Sequence, residues 1–164
     1  MDVFQAVLLL ATFLCSLVAG LLFAFACVAM PGIAKLSDRG FIRAFQVIDG
    51  VIQNNQPLFM LVWVGSVVTL LVAAGLGLGQ LDITGQLLLG SGTLSYIVGV
   101  QLPTAAINIP LNNRLQTLDP DALDDAAQQA ARVAFELPWN RWNVIRSCFA
   151  GLTSALLLVL LFRL

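Results

Sequence analysis

Four long apolar stretches, each almost free of charge, constrain this chain more than any other feature. They cover about residues 3–30, 57–79, 87–109 and 142–162. A helix needs roughly 20 mostly apolar residues to cross a bilayer, and it must satisfy every backbone polar group within the segment. Each stretch is long enough. Pro31-Gly32 closes the first and Pro110 the third. Pro57 opens the second, in a first helical turn where a missing N–H is tolerated. The predicted fold is all-α. It is a polytopic four-transmembrane-helix bundle forming a single membrane domain over residues 1–164.

Composition excludes the alternatives. The hydrophobic set makes up 59% of the chain and charged residues 10%. Soluble domains run at roughly 45–50% and about 25%. A soluble cytoplasmic enzyme, a disordered chain and a secreted disulfide scaffold all fall away. The chain has no histidine, which removes histidine triads, His-ligated haem and most zinc sites. A net charge of −1 offers nucleic acid no basic field. Cys15 and Cys27 are twelve residues apart, roughly 18 Å along one helix, too far to pair. Met30, Met60 and the cysteines show no metal-ligand spacing. The start, Met1-Asp2, lacks the positive charge of a signal peptide, so the first stretch reads as a permanent anchor.

Charge is split unevenly between the loops. Lys35, Arg39, Arg43, Arg114, Arg132, Arg141 and Arg146 flank the two long loops, which accounts for seven of the eight positive residues. Arg163 alone lies at the other end. The positive-inside rule then puts both long loops in the cytoplasm and both termini outside. The expected location is the cell membrane, as a multi-pass protein of a bacterial inner membrane. In the first long loop, Phe41, Phe45, Ile48 and Ile52 recur at helical spacing opposite Arg39, Arg43, Gln46 and Gln53. This predicts an amphipathic interfacial helix between spans one and two. In the second loop, Asp119 reads as an N-cap and Pro120 as a first-turn residue. A short cytoplasmic helix between spans three and four is expected there.

Small residues recur every four positions on three spans: Ser16, Gly20 and Ala24; Gly65, Thr69, Ala73 and Gly77; Ser91, Ser95 and Gly99. Such rows let helices approach closely in lipid. Polar residues form stripes as well. Gln101, Thr104, Asn108 and Asn112 share one face of span three. Trp139, Trp142, Asn143 and Arg146 share one face of span four. Buried amides and guanidinium groups need partners in lipid, so the stripes are expected to face each other in the bundle. Two plainer readings stay open. Trp139 and Trp142 fit an aromatic belt, and Arg141 and Arg146 can snorkel to headgroups.

Thr104-Ala-Ala-Ile-Asn108-Ile-Pro110-Leu-Asn112-Asn113, followed by Trp139-Asn-Arg-Trp142-Asn143-Val-Ile-Arg146, resembles the anthrone-oxygenase-like family of four-helix membrane proteins. The Met30-Pro31, Phe45-Gln46 and Gln53-Asn54 neighbourhoods fit the same pattern. The resemblance implies oxidation of a hydrophobic phenolic or anthrone-like substrate by O₂ without metal or flavin, so no cofactor is expected. Removing a C–H proton from an anthrone gives an enolate that reacts with O₂. The site then needs an apolar slot, a proton acceptor and donors to the enolate oxygen. Asn143, Arg146, Asn108 and Asn112 are the candidate catalytic residues. Trp139, Trp142, Thr104, Gln101 and Gln46 are the candidate substrate contacts. Glu136 and Asp49 are the candidate bases. The competing class is a non-catalytic accessory subunit or lipid-binding scaffold of a larger membrane complex. The partners implied are the lipid bilayer, a hydrophobic aromatic small molecule, and a larger complex or a homo-oligomer.

Overall fold

A computed structural model describes residues 2–164. Five helices and no sheet are present among them: α1 Val3–Ile33, α2 Asp38–Gln53, α3 Pro57–Gly77, α4 Ile83–Gln116 and α5 Asp125–Arg163. All but α2 are long and apolar enough to cross a membrane. By that length and composition the chain is a multi-pass membrane protein.

Each helix start follows from its capping residue. Asp2 accepts from the Gln5 N–H, Ser37 from Gly40, Asp82 from Gly85 and Asp124 from Ala127. Each bond satisfies a donor the helix leaves orphaned. The fifth helix departs from expectation. Asp119 folds into a tight turn, its carboxylate accepting from the Asp121 N–H, and Asp124 provides the cap. No separate cytoplasmic helix forms. The segment is the first third of α5, which runs about 58 Å at 1.5 Å per residue.

Neither Pro31 nor Pro110 stops its helix. Instead α1 and α4 widen where a proline follows. The turns at Phe25–Ala29, Ile97–Gln101 and Thr104–Asn108 close through i→i−5 bonds. A helical proline lacks an N–H and its ring crowds the carbonyl four residues back. For Pro31, Pro103 and Pro110 those carbonyls belong to Cys27, Gly99 and Ala106, each the middle residue of a wide turn. The widening absorbs the crowding and lets the helices continue. Turns of this kind gather at functional sites.

The spans pack through two clusters. Toward the short turn between α3 and α4, Phe4, Leu8, Ala11, Cys15, Val18, Leu70, Ala73, Leu89, Tyr96 and Leu157 form a closed apolar core. The α3 small-residue row is used here. A Cβ on Gly77 would stand 2.7 Å from Leu89 and 3.3 Å from Phe4. The α1 row is not used: Gly20 faces open space, and α1 packs through its Leu8, Cys15 and Val18 face instead. Near the long loops, Met30, Phe41, Ile42, Phe45, Leu115, Phe135 and Trp139 form the second cluster. Here α2 lies across the ends of α1, α4 and α5, with the Phe45 ring edge-on to Phe135 (4.5 Å) and Trp139 (5.4 Å). The α2 helix is amphipathic as expected, but it buries Phe41, Ile42, Phe45 and Asp49 against protein.

Two further clamps fix α2. Gln46 donates to the Leu115 and Leu118 carbonyls, and Gln116 donates back to the Gln46 carbonyl. Arg132 donates to the Ala34 and Leu36 carbonyls at the exposed end of α1 and pairs with Asp38 and Glu136.

Candidate active site

Beneath α2 the second cluster leaves a cavity of about 260 Å³. All five helices line it: Leu21, Leu22 and Phe25 of α1; Phe45, Ile48, Asp49 and Ile52 of α2; Phe59, Met60 and Trp63 of α3. The remaining wall is Thr104, Asn108, Ile109 and Asn112 of α4 with Trp139, Asn143 and Arg146 of α5. The lining is mostly apolar and aromatic, with a few convergent polar groups, as ligand sites are. A cavity of about 150 Å³ accepts one benzene, so this volume suits two or three fused rings.

The polar groups form two networks. In the first, Arg146 (4% exposed) donates to Thr104 Oγ1 at 2.9 Å and to Asn143 Oδ1 at 3.0 Å. Its guanidinium carbon lies 5.7 Å from the Trp139 ring centre, within cation–π range. Asn143 donates to the Leu22 carbonyl at 3.0 Å, three residues before the wide turn of α1. Buried Arg146 Nε and Asn108 Oδ1 have no partner. Among the described residues no carboxylate lies within ion-pair distance of Arg146, although it is charged and buried. A buried charge in this state is costly unless something compensates it.

The second network centres on Asp49 (3% exposed). Its Oδ1 accepts from Asn112 at 2.8 Å, and its Oδ2 accepts from Gln53 at 2.7 Å and Gln116 at 3.0 Å. Asn112 in turn accepts from the Trp139 indole N–H at 2.8 Å. A carboxylate offers about four acceptor positions. Three are filled, which leaves one for a ligand's proton. The cavity therefore holds a buried acceptor and a buried cation with no counter-charge, and Trp139 touches both networks.

A family model described as anthrone oxygenase matches residues 51–156, more than half of the chain. The chain belongs to the anthrone oxygenase family. No curated protein and no solved structure matches it. In this family member the matched stretch holds the side chains of the Arg146 network and Asn112, while the Leu22 carbonyl and Asp49 lie ahead of it.

Six of the nine residues singled out for the site line the cavity: Thr104, Asn108, Asn112, Trp139, Asn143 and Arg146. The other three lie elsewhere. Trp142, three residues on from Trp139, is turned off the cavity face and half-buried. Gln46 clamps two backbone carbonyls. Gln101 accepts from Trp63 Nε1 at 3.1 Å, behind the wall. Of the two candidate bases, Glu136 is held by Arg132 outside the cavity and Asp49 lines it. Trp63, Phe59 and Phe25 escaped the sequence reading. Nearly every position of α1 and α3 is apolar, so periodicity marks no special face there. Among the described residues no three Cys, Asp or Glu side chains converge to hold a metal ion.

Proposed function

We propose that this protein is a cofactor-independent oxygenase for a hydrophobic phenolic or anthrone-like substrate. The observation that carries the reading is that one largely apolar cavity is lined by both a buried carboxylate, Asp49, and a buried guanidinium, Arg146. In this reading Asp49 takes the acidic C–H proton. The C–H electron pair passes into the ring system and places negative charge on the substrate oxygen. Arg146, with the amides beside it, holds that oxygen. Asn112 positions the Asp49 carboxylate and connects it to Trp139, whose ring forms a wall of the slot.

The carbanion carbon gives its electrons to O₂ and forms a C–O bond. Loss of water from the resulting hydroperoxide leaves a carbonyl, so one substrate and one O₂ become one quinone and one water. Removing an oxyanion donor typically costs about 10²–10³ in rate. Asp49→Asn and Arg146→Gln should each lower O₂ uptake with an anthrone by at least that factor while the protein still melts cooperatively in detergent. Unchanged low uptake in the wild type, with a large stability loss in Arg146→Gln, would leave the scaffold reading standing. The bonds from Asn143 to the Leu22 carbonyl and from Arg146 to Thr104, which tie α5 to α1 and α4, support that second reading.

The seven-to-one split of positive charge supports a cytoplasmic location for the cavity end, with both termini outside. Reporters fused after Gln80 and after Leu164 should both read as external. A cytoplasmic signal from either sinks this orientation.

A further inference from the structure

The cavity has an open side, and its rim shows what it opens onto. Two lining residues are substantially exposed, Met60 of α3 at 37% and Ile109 of α4 at 46%. They stand on neighbouring spans that diverge at this end. Helix α3 packs along α1 and packs on α4 toward the short turn; at the cavity the Trp63–Gln101 bond ties them, one turn short of Met60 and two turns short of Ile109.

The surface around the gap is apolar. Leu58 is 68% exposed and Val51, on the outer face of α2, is 54% exposed. On α4 the neighbouring outward positions are Leu102, Ala105 and Ala106. The exposed polar residues Gln53, Asn54 and Asn113 lie one turn nearer the loops. Met60 is three residues into a spanning helix, about 4.5 Å along its axis. The gap therefore sits just inside the apolar layer.

We propose that this gap is a lateral portal through which the ligand enters from the bilayer. The ligand class is a neutral, lipid-dissolved aromatic acid, a carbon acid or phenol of two or three fused rings. This rests on the reading of the site given above, which adds a consequence. The ligand arrives neutral and loses its proton to Asp49, keeping the electron pair. The anion then sits against Arg146, and an apolar mouth opposes its escape because a charge in lipid is costly. Oxidation to a neutral quinone removes that barrier, so the portal favours entry of substrate and exit of product.

The test is cysteine accessibility in liposomes, which needs no turnover. The exposed Cys27 and Cys148 are first replaced by alanine, and buried Cys15 is kept. Met60→Cys and Ile109→Cys are then introduced separately, so a folding defect in one leaves the other informative. Each should react at least tenfold faster with a bilayer-dissolved pyrene maleimide than with a sulfonated maleimide present on both sides. A neutral probe that cannot be oxidised further, 2-hydroxyanthraquinone, should slow that labelling several-fold. Equal or faster labelling by the sulfonated reagent, or no protection by the probe, overturns the portal.

A second arm reads turnover. Ile109→Trp should raise KM for a bilayer-delivered anthrone more than it lowers kcat. If the wild type shows no O₂ uptake but the labelling pattern holds, the oxygenase reading fails and the portal stands.

Discussion

Near the short turn the spans meet through Phe4, Leu8, Cys15, Leu70, Tyr96 and Leu157, with regular helices and close contacts at Gly77. Near the long loops the same spans meet through Asn108, Asn112, Asn143 and Arg146, with wide turns and a cavity. Helices in lipid gain little from burying apolar side chains, so close packing and polar bonds hold them together. One end relies on the first and the other on the second. The polar end leaves Arg146 without a counter-charge and Asn108 half-satisfied, a cost that the dry end makes tolerable. The contrast assigns support to one end and chemistry to the other, and a paired substitution can break it.

The largest expected effect is that pairing. Asp49→Asn keeps the shape of the side chain and should cut O₂ uptake by about 10²–10⁴, the usual worth of a positioned base. Its NH₂ group meets an amide donor of that network, so roughly 1–3 kcal/mol of stability is lost as well, with the melt still cooperative. Leu8→Ala should lose stability alone. It leaves a cavity in the dry core and should cost roughly 1–3 kcal/mol. That is less than the roughly 2–5 of a soluble core, because separated helices keep their leucines in an apolar solvent. Turnover per folded molecule should be unchanged. Uptake and thermal melts on both variants decide the matter, and equal activity losses would erase the distinction.

Next comes a packing test at the boundary between the ends. Gly99 lies within a wide turn, and a Cβ there would stand 2.2 Å from Phe149 Cγ and 2.5 Å from Phe149 Cβ. Because the base of the side chain is in the way, rotating the ring does not clear the clash and α5 must move. Gly99→Ala should cost about 1–3 kcal/mol. Gly92→Ala meets Leu157 at 3.6 Å, an ordinary contact, and should cost almost nothing. A difference in melting temperature between the two locates where α4 and α5 touch most closely.

A smaller, opposite effect is expected at Asn55. Its φ is +57°, just past the end of α2, in the left-handed region where glycine is free of strain. Asn55→Gly should be neutral or stabilise by up to about 1 kcal/mol. It should also leave the reach of α2 over the cavity intact, read as unchanged KM.

What could be read from sequence follows from how strongly each feature is patterned. The four spans were legible because length and apolar content suffice to define them. The polar stripes were legible because amides are rare in apolar helices and their spacing keeps them on one face. Trp139 and Trp142 were not separable: they are about 60° apart on a helical wheel, and only the final rotation of α5 puts one into the cavity. Asp119 looked like a cap because Asp-Pro-Asp fits one locally, yet its side chain closes a turn instead. Asp49 was one of two candidate bases, but the network that holds it was hidden because Asn112, Gln116 and Gln53 come from different parts of the chain. No local motif records that meeting. The wide turns are legible in retrospect, as each is centred four residues before a proline.

The smallest expected effect contrasts two carboxylates of the long-loop end. Buried Asp49 is held by neutral amides. Asp121 stands in water, where Arg39 and Arg43 of α2 grip it from both sides. The hydrogen bond from Arg39 and the charges of both arginines hold the Asp121 carboxyl below its usual range. A group whose folded value is depressed contributes stability above its unfolded value and loses it as pH falls through the folded one. The Asp121 tie should therefore be fully present at neutral pH and disappear in acid, below the ordinary carboxylate range. Both partners are exposed, so salt should weaken the tie as well. The expected readout is faster amide exchange over residues 118–124 at low pH or high salt, with little change in the global melt. Asp121→Asn should show that faster exchange at every pH. If the variant instead unfolded the cavity end, the surface clasp would be holding α2 in place, and the amide clamps of Gln46 and Gln116 would not be sufficient to seat it.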